Sequence, residues 1–166
     1  MARLGIAEET SREALDFYST FPALGEAAAS LLNAVYSPAN PLPPLVREAV
    51  RMRMALANDC LVCKSARLVP DLAETFYAFI ESAEAHPELY DAQIRAAISF
   101  AEKFAFDHLA IDDDDFMQLK LLFCEEEIAA LGISCAYFSA FGRLTRVLLL
   151  DHQCPMPSTP SARASA

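Results

Sequence analysis

Apolar residues recur at helical spacing along most of the chain. The clearest case is Glu88–Phe106, whose apolar positions include Leu89, Ile94, Ala97, Ile98, Ala101 and Phe104. These positions follow the three-to-four-residue period of an amphipathic helix, and no segment of useful length alternates apolar and polar residues as a strand would. Only 4 of the 166 residues are glycine, while alanine and leucine are abundant. The pattern therefore predicts an all-α fold.

Prolines, caps and acidic runs divide this pattern into eight predicted helices. They cover residues 6–19, 22–36, 43–57, a short segment from about 60, 70–84, 88–106, 116–123 and 125–150. Prolines at 43 and 44 suit a first helical turn, and Asn58 or Asp59 is the expected N-cap of the fourth helix. Whether the third and fourth helices are separate or one bent rod stays open. The acidic run Asp112–Asp115 precedes a helix and is expected to complement its dipole rather than to bind a metal ion.

The domain organisation follows from the same pattern. Residues 1–150 form one predicted helical domain, and residues 151–166, with three prolines and many Ser and Ala, form a predicted disordered tail. The longest uncharged stretch, Ile128–Gly142, has 15 residues. A membrane-spanning helix needs about 20 apolar residues, so this stretch is expected to be a buried core helix.

Charge narrows the classes of partner. The chain carries 13 Lys and Arg against 23 Asp and Glu, a formal net charge of −10. This balance argues against nucleic acid and an anionic membrane surface as partners. Residues 1–20 hold four acids and no apolar signal segment, so a cytoplasmic protein with reduced cysteines is expected. Of the five cysteines, Cys124 and Cys135 are expected in the core, and Cys154 falls in the tail.

The remaining two cysteines form a Cys-x-x-Cys motif, Cys60 and Cys63. Residues three apart share one helical face, so the two sulfurs can approach each other. At the start of a helix, unpaired N–H groups and the dipole stabilise a thiolate, and a neighbouring thiol can resolve an oxidised partner into a disulfide. Lys64 and Arg67 add positive charge, with Arg67 four residues after Cys63. The motif predicts thiol redox chemistry.

Three alternatives to redox chemistry stay open for the motif. A zinc site needs two more ligands, but there is no second Cys-x-x-Cys, and the histidines at 86, 108 and 152 are scattered. A thioredoxin-type site needs a βαβ unit, which the pattern lacks. A buried pair without function is the third alternative. No metal and no cofactor is expected.

Glu48 is the second candidate residue. On the third helix it aligns with Met52 and Ala55, so it is expected to be half buried at the edge of the packed face. Burial raises the pKa of a carboxyl group and suits it to proton transfer. The alternative is an acid that merely favours the start of a helix.

Glu48, eleven residues and then Cys60-x-x-Cys63 together resemble the active-site pattern of the AhpD-like alkylhydroperoxidases, in the carboxymuconolactone decarboxylase superfamily. The family pattern is Glu-x(11)-Cys-x-x-Cys-x(3)-His. The surrounding segments are similar too, over roughly Leu24–Leu149: a proline-flanked leucine opens the Glu48 helix, and the long last helix carries an aromatic run and an arginine. The resemblance implies an AhpD-like helical bundle with the cysteine pair at a helix N-terminus.

The resemblance also implies roles for these residues. Cys63 matches the cysteine that becomes a sulfenic acid, Cys60 the one that relays a proton and closes the disulfide, and Glu48 the proton acceptor. The family histidine, however, falls on Arg67. Arginine stays protonated at neutral pH and cannot shuttle a proton, although it can hold a thiolate or pair with Glu48.

The expected function is thiol-dependent reduction of a small-molecule hydroperoxide, with a dithiol of unknown identity as reductant. The resemblance and the apolar composition also indicate a homo-oligomer. Two alternatives stay open. One is a carboxymuconolactone decarboxylase-type enzyme, whose branch typically lacks the Cys-x-x-Cys motif. The other is a non-catalytic helical binding protein, which the arginine at position 67 favours.

Overall fold

The computed structural model describes residues 3–4 and 13–151. Within them the chain forms eight α-helices: α1 (Glu13–Thr20), α2 (Pro22–Tyr36), α3 (Pro44–Ala57), α4 (Leu61–Ser65), α5 (Glu74–Ala78), α6 (Ala92–Phe106), α7 (Asp113–Lys120) and α8 (Glu125–Leu148). Two 3₁₀ segments, Ile80–Ala85 and His108–Ala110, follow α5 and α6. These described residues contain no strand, so the all-α prediction is confirmed.

Local sequence explains where the main helices begin. Pro44 occupies the first turn of α3, where its missing N–H costs nothing. Asp91 caps α6 by accepting a hydrogen bond from the N–H of Ile94. Asp112 and Asp115 form a capping box at the start of α7. The acidic run thus serves the helix N-terminus as expected, although α7 begins at Asp113 and includes most of the run.

Helix α3 lies at the centre of the bundle, between α6 and α8. Ten of its fourteen residues are buried, and these include Glu48, Met52 and Ala55. The predicted stripe therefore faces the core, but Glu48 is wholly buried rather than half buried at an edge. Three arginines of the same helix, Arg47, Arg51 and Arg53, are also buried. A charged group so deep needs partners, and the partners of Glu48 and Arg51 define the site described below.

Helix α8 is the one described helix whose length and composition would allow it to cross a membrane. It begins with three glutamates and carries Arg146 in its last turn. One face of it, including Leu131 and Cys135, is buried against the bundle. This packing agrees with the prediction of a core helix, although only 39% of its most apolar window is fully buried and the rest is partly buried or exposed.

Several boundary predictions were wrong. The predicted helix over 70–84 is instead the short α5 followed by a 3₁₀ segment that is kinked at Ser82. The helix predicted from Glu88 starts only at Ala92, after the Asp91 cap. Cys124 is an exposed N-cap of α8 rather than a core residue, because the chain turns there. Cys135 is buried as predicted, and burial raises its pKa to about 12.

The ends of the chain differ in part from the predicted boundaries. Asp151, assigned to the tail, is buried and contacts α4. The predicted start of the first helix at residues 6–12, the rest of the predicted tail and Cys154 lie outside the described residues.

Candidate active site

The Cys-x-x-Cys motif lies at the start of the short helix α4. Cys60 is itself the N-cap, and its Sγ accepts a hydrogen bond from the N–H of Cys63, with an N–S distance of 3.3 Å. The expected caps, Asn58 and Asp59, instead end α3, and Asp59 has a left-handed backbone with φ of 50°. This left-handed residue reverses the chain, so α3 and α4 are separate helices. The cysteines do occupy the first helical turn, as the sequence predicted.

Cys60 and Cys63 form a disulfide, with an S–S distance of 2.08 Å and a Cα–Cα distance of 5.3 Å. The N-cap and third positions of α4 bring the two sulfurs together, as the spacing of the motif predicted. Cys60 is completely buried, whereas Cys63 is partly exposed. A reactant from solvent can thus reach Cys63 before Cys60.

The Glu48 carboxylate is surrounded by donors. Arg51 donates from Nε to Oε2 at 2.9 Å and from Nη2 to Oε1 at 2.8 Å. The Tyr77 hydroxyl donates to Oε1 at 3.0 Å, the Tyr36 hydroxyl to Oε2 at 3.3 Å, and the N–H of Leu68 to Oε1 at 3.3 Å. Both oxygens are therefore engaged with at least two donors each.

These donors set the protonation of the site. Burial acts to raise the pKa of Glu48, but the hydrogen bonds and charge of Arg51, with those of Leu68 and Tyr77, outweigh it and hold the pKa below its usual range. The expectation of a raised pKa at Glu48 was therefore wrong. Burial and the Glu48 charge raise the pKa of Tyr77 to about 12, so its hydroxyl stays a donor. Glu48 is an anchored anion rather than a carboxyl group poised near neutral pH.

Arg51 joins Glu48 to the cysteine helix. Besides its two bonds to Glu48, it donates from Nη1 to the carbonyl of Cys63 and from Nη2 to the carbonyl of Ala66 at 2.8 Å. The side chain is 4% exposed. Sequence reasoning missed this residue, although its spacing of three from Glu48 on a helix is a recognisable ion-pair signal. Through Arg51, the end of α4 is fixed to the central helix.

Arg67, in contrast, pairs with Glu74 and not with Glu48. Helix α4 ends at Ser65, so Arg67 does not continue the helical stripe of Cys63. Its guanidinium pairs with Glu74 through two bonds, at 2.9 and 3.0 Å, and lies 4.1 Å from the centre of the Tyr77 ring. The predicted pairing of Arg67 with Glu48 does not form, since Arg51 pairs with Glu48 and Glu74 with Arg67. That Arg67 holds a Cys63 thiolate stays a prediction, because the two cysteines form a disulfide in this structure.

The turn before the cysteines is fixed to helix α8. Asn58 donates from Nδ2 to the carbonyl of Phe138 at 3.0 Å, and its Oδ1 accepts from Nε of Arg143 at 3.2 Å. Gly142 makes this approach possible, because a Cβ there would lie 2.5 Å from Nδ2 of Asn58. The motif is thus held against both α3 and α8.

Cys63 opens onto a cavity of about 410 Å³ between α2, α4 and α8. Most of its lining is apolar, and aromatic rings contribute strongly: Tyr18, Tyr137, Phe138 and Phe141. Among the described lining residues Arg51 is the one cation, and its charge is already paired with Glu48. The cavity therefore suits a neutral ligand with an apolar body next to a reactive sulfur.

Among the described residues, no group of three or more His, Cys, Asp or Glu side chains could hold a metal ion. The chemistry that the arrangement offers is that of a dithiol and disulfide pair, with one accessible sulfur and one buried sulfur.

Comparison of the sequence with known proteins finds only partial matches. No protein-family model matches the chain. Two uncharacterised proteins of Mycobacterium tuberculosis strains are each 38% identical over 77 residues, which cover 43% of this chain and 27% of theirs. The chain therefore spans only about a quarter of the length of these relatives.

Solved structures match over much more of the chain. An Agrobacterium tumefaciens protein of unknown function, described as an AhpD antioxidant defence protein, has a TM-score of 0.76 and 18% identity, covering 95% of this chain and 100% of that one. A peroxidase-related protein from Silicibacter reaches a TM-score of 0.73 at 19% identity, over 82% of this chain and 74% of that one. The debrominase Bmp8 reaches 0.72 at 18% identity, over 82% and 75%. The fold is AhpD-like, which confirms the fold that the resemblance of Glu48 and the cysteine pair implied.

Proposed function

We propose that the protein is a thiol-dependent oxidoreductase that reduces organic hydroperoxides with the Cys60–Cys63 pair. The observation that carries the proposal is the asymmetry of the disulfide: Cys63 borders the cavity, while Cys60 is buried behind it. One sulfur can then meet substrate, and the other can only meet its partner. The AhpD-like fold supports this proposal, and a peroxidase-related protein is among the similar structures.

The proposed reaction has three balanced steps. The Cys63 thiolate attacks the terminal oxygen of the hydroperoxide, the O–O bond breaks, and the alkoxide takes a proton from water to leave as an alcohol. Cys63 is then a sulfenic acid. The Cys60 sulfur attacks the sulfur of Cys63, the S–O bond breaks, and water leaves as the disulfide forms. A dithiol reductant then restores both thiols and is itself oxidised to a disulfide.

The cavity indicates the kind of hydroperoxide. Its aromatic and aliphatic lining favours a neutral apolar body, and the pairing of Arg51 with Glu48 leaves little net charge to attract a carboxylate. The acid–base groups indicate that turnover is slow. Glu48 is held as an anion, and Arg67 cannot release a proton at neutral pH.

Steady-state turnover tests the proposal. Purified protein is mixed with cumene hydroperoxide and dihydrolipoamide, and the loss of hydroperoxide is followed. The native protein and Cys124→Ser, a matched cysteine variant on the surface, are expected to consume hydroperoxide equally. Cys63→Ser is expected to consume none above the uncatalysed rate. Equal rates for Cys63→Ser and native protein would reject the proposal.

A non-catalytic helical binding protein is the second candidate. The observation that favours it is that both candidate acid–base groups are engaged elsewhere, Glu48 with Arg51 and Arg67 with Glu74. In that case the disulfide would be structural, and reduced protein would not lose thiols faster with hydroperoxide than in buffer.

A decarboxylase-type activity does not use the thiols, so it would survive in Cys63→Ser.

A further inference from the structure

A buried carboxylate lies at the N-terminus of the cysteine helix. Helix α8 ends at Leu148, and Leu149 adopts a left-handed conformation with φ of 56° and ψ of 48°. This reverses the chain and brings Asp151 back against α4. Asp151 is 2% exposed, and its Oδ2 accepts a hydrogen bond from the N–H of Leu61 at 2.8 Å. Leu61 directly follows Cys60, so the carboxylate is a close neighbour of the redox pair.

Asp151 and Cys60 accept from two different N–H donors of one helix end. The N–H of Leu61 bonds to Asp151, and the N–H of Cys63 bonds to Sγ of Cys60. A helix N-terminus stabilises negative charge through these unpaired N–H groups. A carboxylate already placed there takes one of these donors, so fewer are left to stabilise a thiolate. It also repels that thiolate across a buried, weakly screening environment.

The surrounding charges do not cancel that of Asp151. Its Oδ1 accepts no hydrogen bond from the described residues, and its one ion-pair partner among them, Nη1 of Arg146, is 3.8 Å away. Arg146 pairs more closely with Asp59, at 3.1 Å.

The other cations around the cysteine pair are engaged as well. Lys64 on α4 pairs with Asp59 at 2.6 Å, and on α3 Arg51 pairs with Glu48. Arg67, beyond the end of α4, pairs with Glu74. Among the described residues, the carboxylate of Asp151 is therefore compensated only by the long ion pair with Arg146 and by the Leu61 N–H.

We propose that Asp151 is a positioning residue for the redox pair, whose negative charge keeps Cys60 a protonated thiol and favours the disulfide over the dithiol. The inference rests on the proposed thiol chemistry, though not on which oxidant the protein meets. The disulfide is neutral, whereas a thiolate at this helix end would face the carboxylate. Asp151 therefore disfavours the thiolate form of the reduced protein. At any pH where one of the thiols would ionise, this makes the disulfide harder to reduce.

A protonated Cys60 also suits the resolving step. When the Cys60 sulfur attacks the Cys63 sulfenic acid, the S–S bond forms and the S–O bond breaks. The hydroxide that leaves takes the proton that Cys60 gives up, so that water is released. The thiol thus brings its own proton to a site where Glu48 and Arg67 supply none.

The test is the equilibrium of the cysteine pair with a reference dithiol, measured from acidic to alkaline pH. Asp151→Asn keeps an oxygen that can accept the Leu61 hydrogen bond but removes the charge. Once the first thiol ionises, this variant is expected to be reduced about tenfold more readily than native protein, which is about 30 mV for a two-electron couple. At acid pH, where both thiols are protonated, the equilibrium with the reference dithiol should be the same for the native protein and Asp151→Asn. Thiolate absorbance in the ultraviolet should appear at lower pH in Asp151→Asn.

Three further variants separate charge from structure. Asp91→Asn makes the same change at the N-cap of α6, a helix without cysteine, and should leave the equilibrium unchanged. Arg146→Gln removes the nearest positive charge and should shift the equilibrium opposite to Asp151→Asn. Asp151→Ala removes both charge and hydrogen bond and should show at least the shift of Asp151→Asn. If only Asp151→Ala differs from native protein, or if the shift in Asp151→Asn is the same at every pH, Asp151 is a plain helix cap and the inference fails.

This test does not depend on peroxide. Hydroperoxide turnover could be absent while the pH-dependent shift is present, which would overturn the proposed function and leave the role of Asp151 standing. Normal hydroperoxide turnover without the pH-dependent shift would support the proposed function and overturn the role of Asp151.

Discussion

Arg51 and Glu48 form a buried, two-point ion pair on successive turns of α3, with N–O distances of 2.8 and 2.9 Å. The side chain of Arg51 is 4% exposed, and that of Glu48 is completely buried. Arg51 then reaches across to the carbonyl of Cys63. This pair has two consequences, because it holds Glu48 as an anion and fixes the cysteine helix to the core.

Glu48→Gln is expected to destabilise the protein by about 3–5 kcal/mol at neutral pH, because it leaves Arg51 as an uncompensated buried charge. Denaturant unfolding measures this loss. Since the pKa of Glu48 is lowered by folding, its contribution is present above the unfolded value of about 4.3 and is lost as the pH falls through the lower folded value. The native and variant stabilities should therefore converge in acid.

The control is Glu74→Gln, which breaks the ion pair of Arg67 on the surface. The Glu74 side chain is 69% exposed, and solvent screens such pairs, so the loss of stability should be far smaller. Equal losses for both variants, or a Glu48→Gln loss that persists unchanged at low pH, would contradict the assignment of Glu48 as a buried anion.

Gly142→Ala is expected to destabilise the protein by about 1–3 kcal/mol, because the new Cβ would lie 2.5 Å from Nδ2 of Asn58 and push the turn before the cysteines away from α8. Gly132→Ala on the same helix is the matched control. A Cβ there meets nothing within 4 Å, so alanine should stabilise the helix by about 0.5–1 kcal/mol. Thermal unfolding of both variants checks the contrast, and a Gly142→Ala variant as stable as Gly132→Ala would refute it.

Arg67→His is expected to raise hydroperoxide turnover by roughly tenfold near neutral pH, since an imidazole can carry a proton where a guanidinium cannot. Position 67 lies over the Tyr77 ring, whose hydroxyl bonds to Glu48. The gain should remain below the ~10²–10⁴ of a well-positioned acid–base group, because Arg51 holds Glu48. Arg67→Gln breaks the same pair with Glu74 without adding a proton carrier, and its turnover should not rise. Identical rates in the two variants would argue against proton supply as the limit.

The outward surface of α2 and α8 is expected to be an interface between copies of this chain. Leu24, Leu31 and Ile133 are 67%, 41% and 55% exposed and line adjoining grooves between these helices. Exposed apolar patches usually mark contact surfaces. Sedimentation should show an oligomer at micromolar concentration, and Leu24→Glu with Ile133→Glu should shift it towards monomer. Leu109→Glu, an 85% exposed residue outside these helices, should not. A native monomer would contradict the prediction.

Much of the fold and part of the site followed from sequence, because they depend on local pattern. Helical periodicity located the main helices, and the spacing of Glu48 from the cysteines marked residues that the fold connects through Arg51. The choice of arginine could not be predicted in this way. Whether Arg51 or Arg67 pairs with Glu48 depends on where α4 ends, and that end at Ser65 is fixed by contacts with α3.

The position of Asp151 against α4 also could not be predicted from the sequence. It bonds to Leu61, 90 positions earlier in the chain, and only the left-handed turn at Leu149 directs it there. Local composition favours a tail from this point, so the tertiary contact overrides the local signal. The same holds for the pKa of Glu48, because burial and the donors around it act in opposite directions and only their geometry decides the balance.

The most direct test of the proposed chemistry is a single turnover without reductant, in protein that carries Cys124→Ser and Cys154→Ser. Fully reduced protein is mixed with one equivalent of cumene hydroperoxide, and alcohol, free thiols and the cysteine peptides are measured. We expect one alcohol formed and two thiols lost per chain, with the loss mapped to a Cys60–Cys63 disulfide, and no alcohol in Cys63→Ser. Alcohol formed without loss of this thiol pair, or a pair that stays reduced while hydroperoxide remains, would contradict the proposed chemistry.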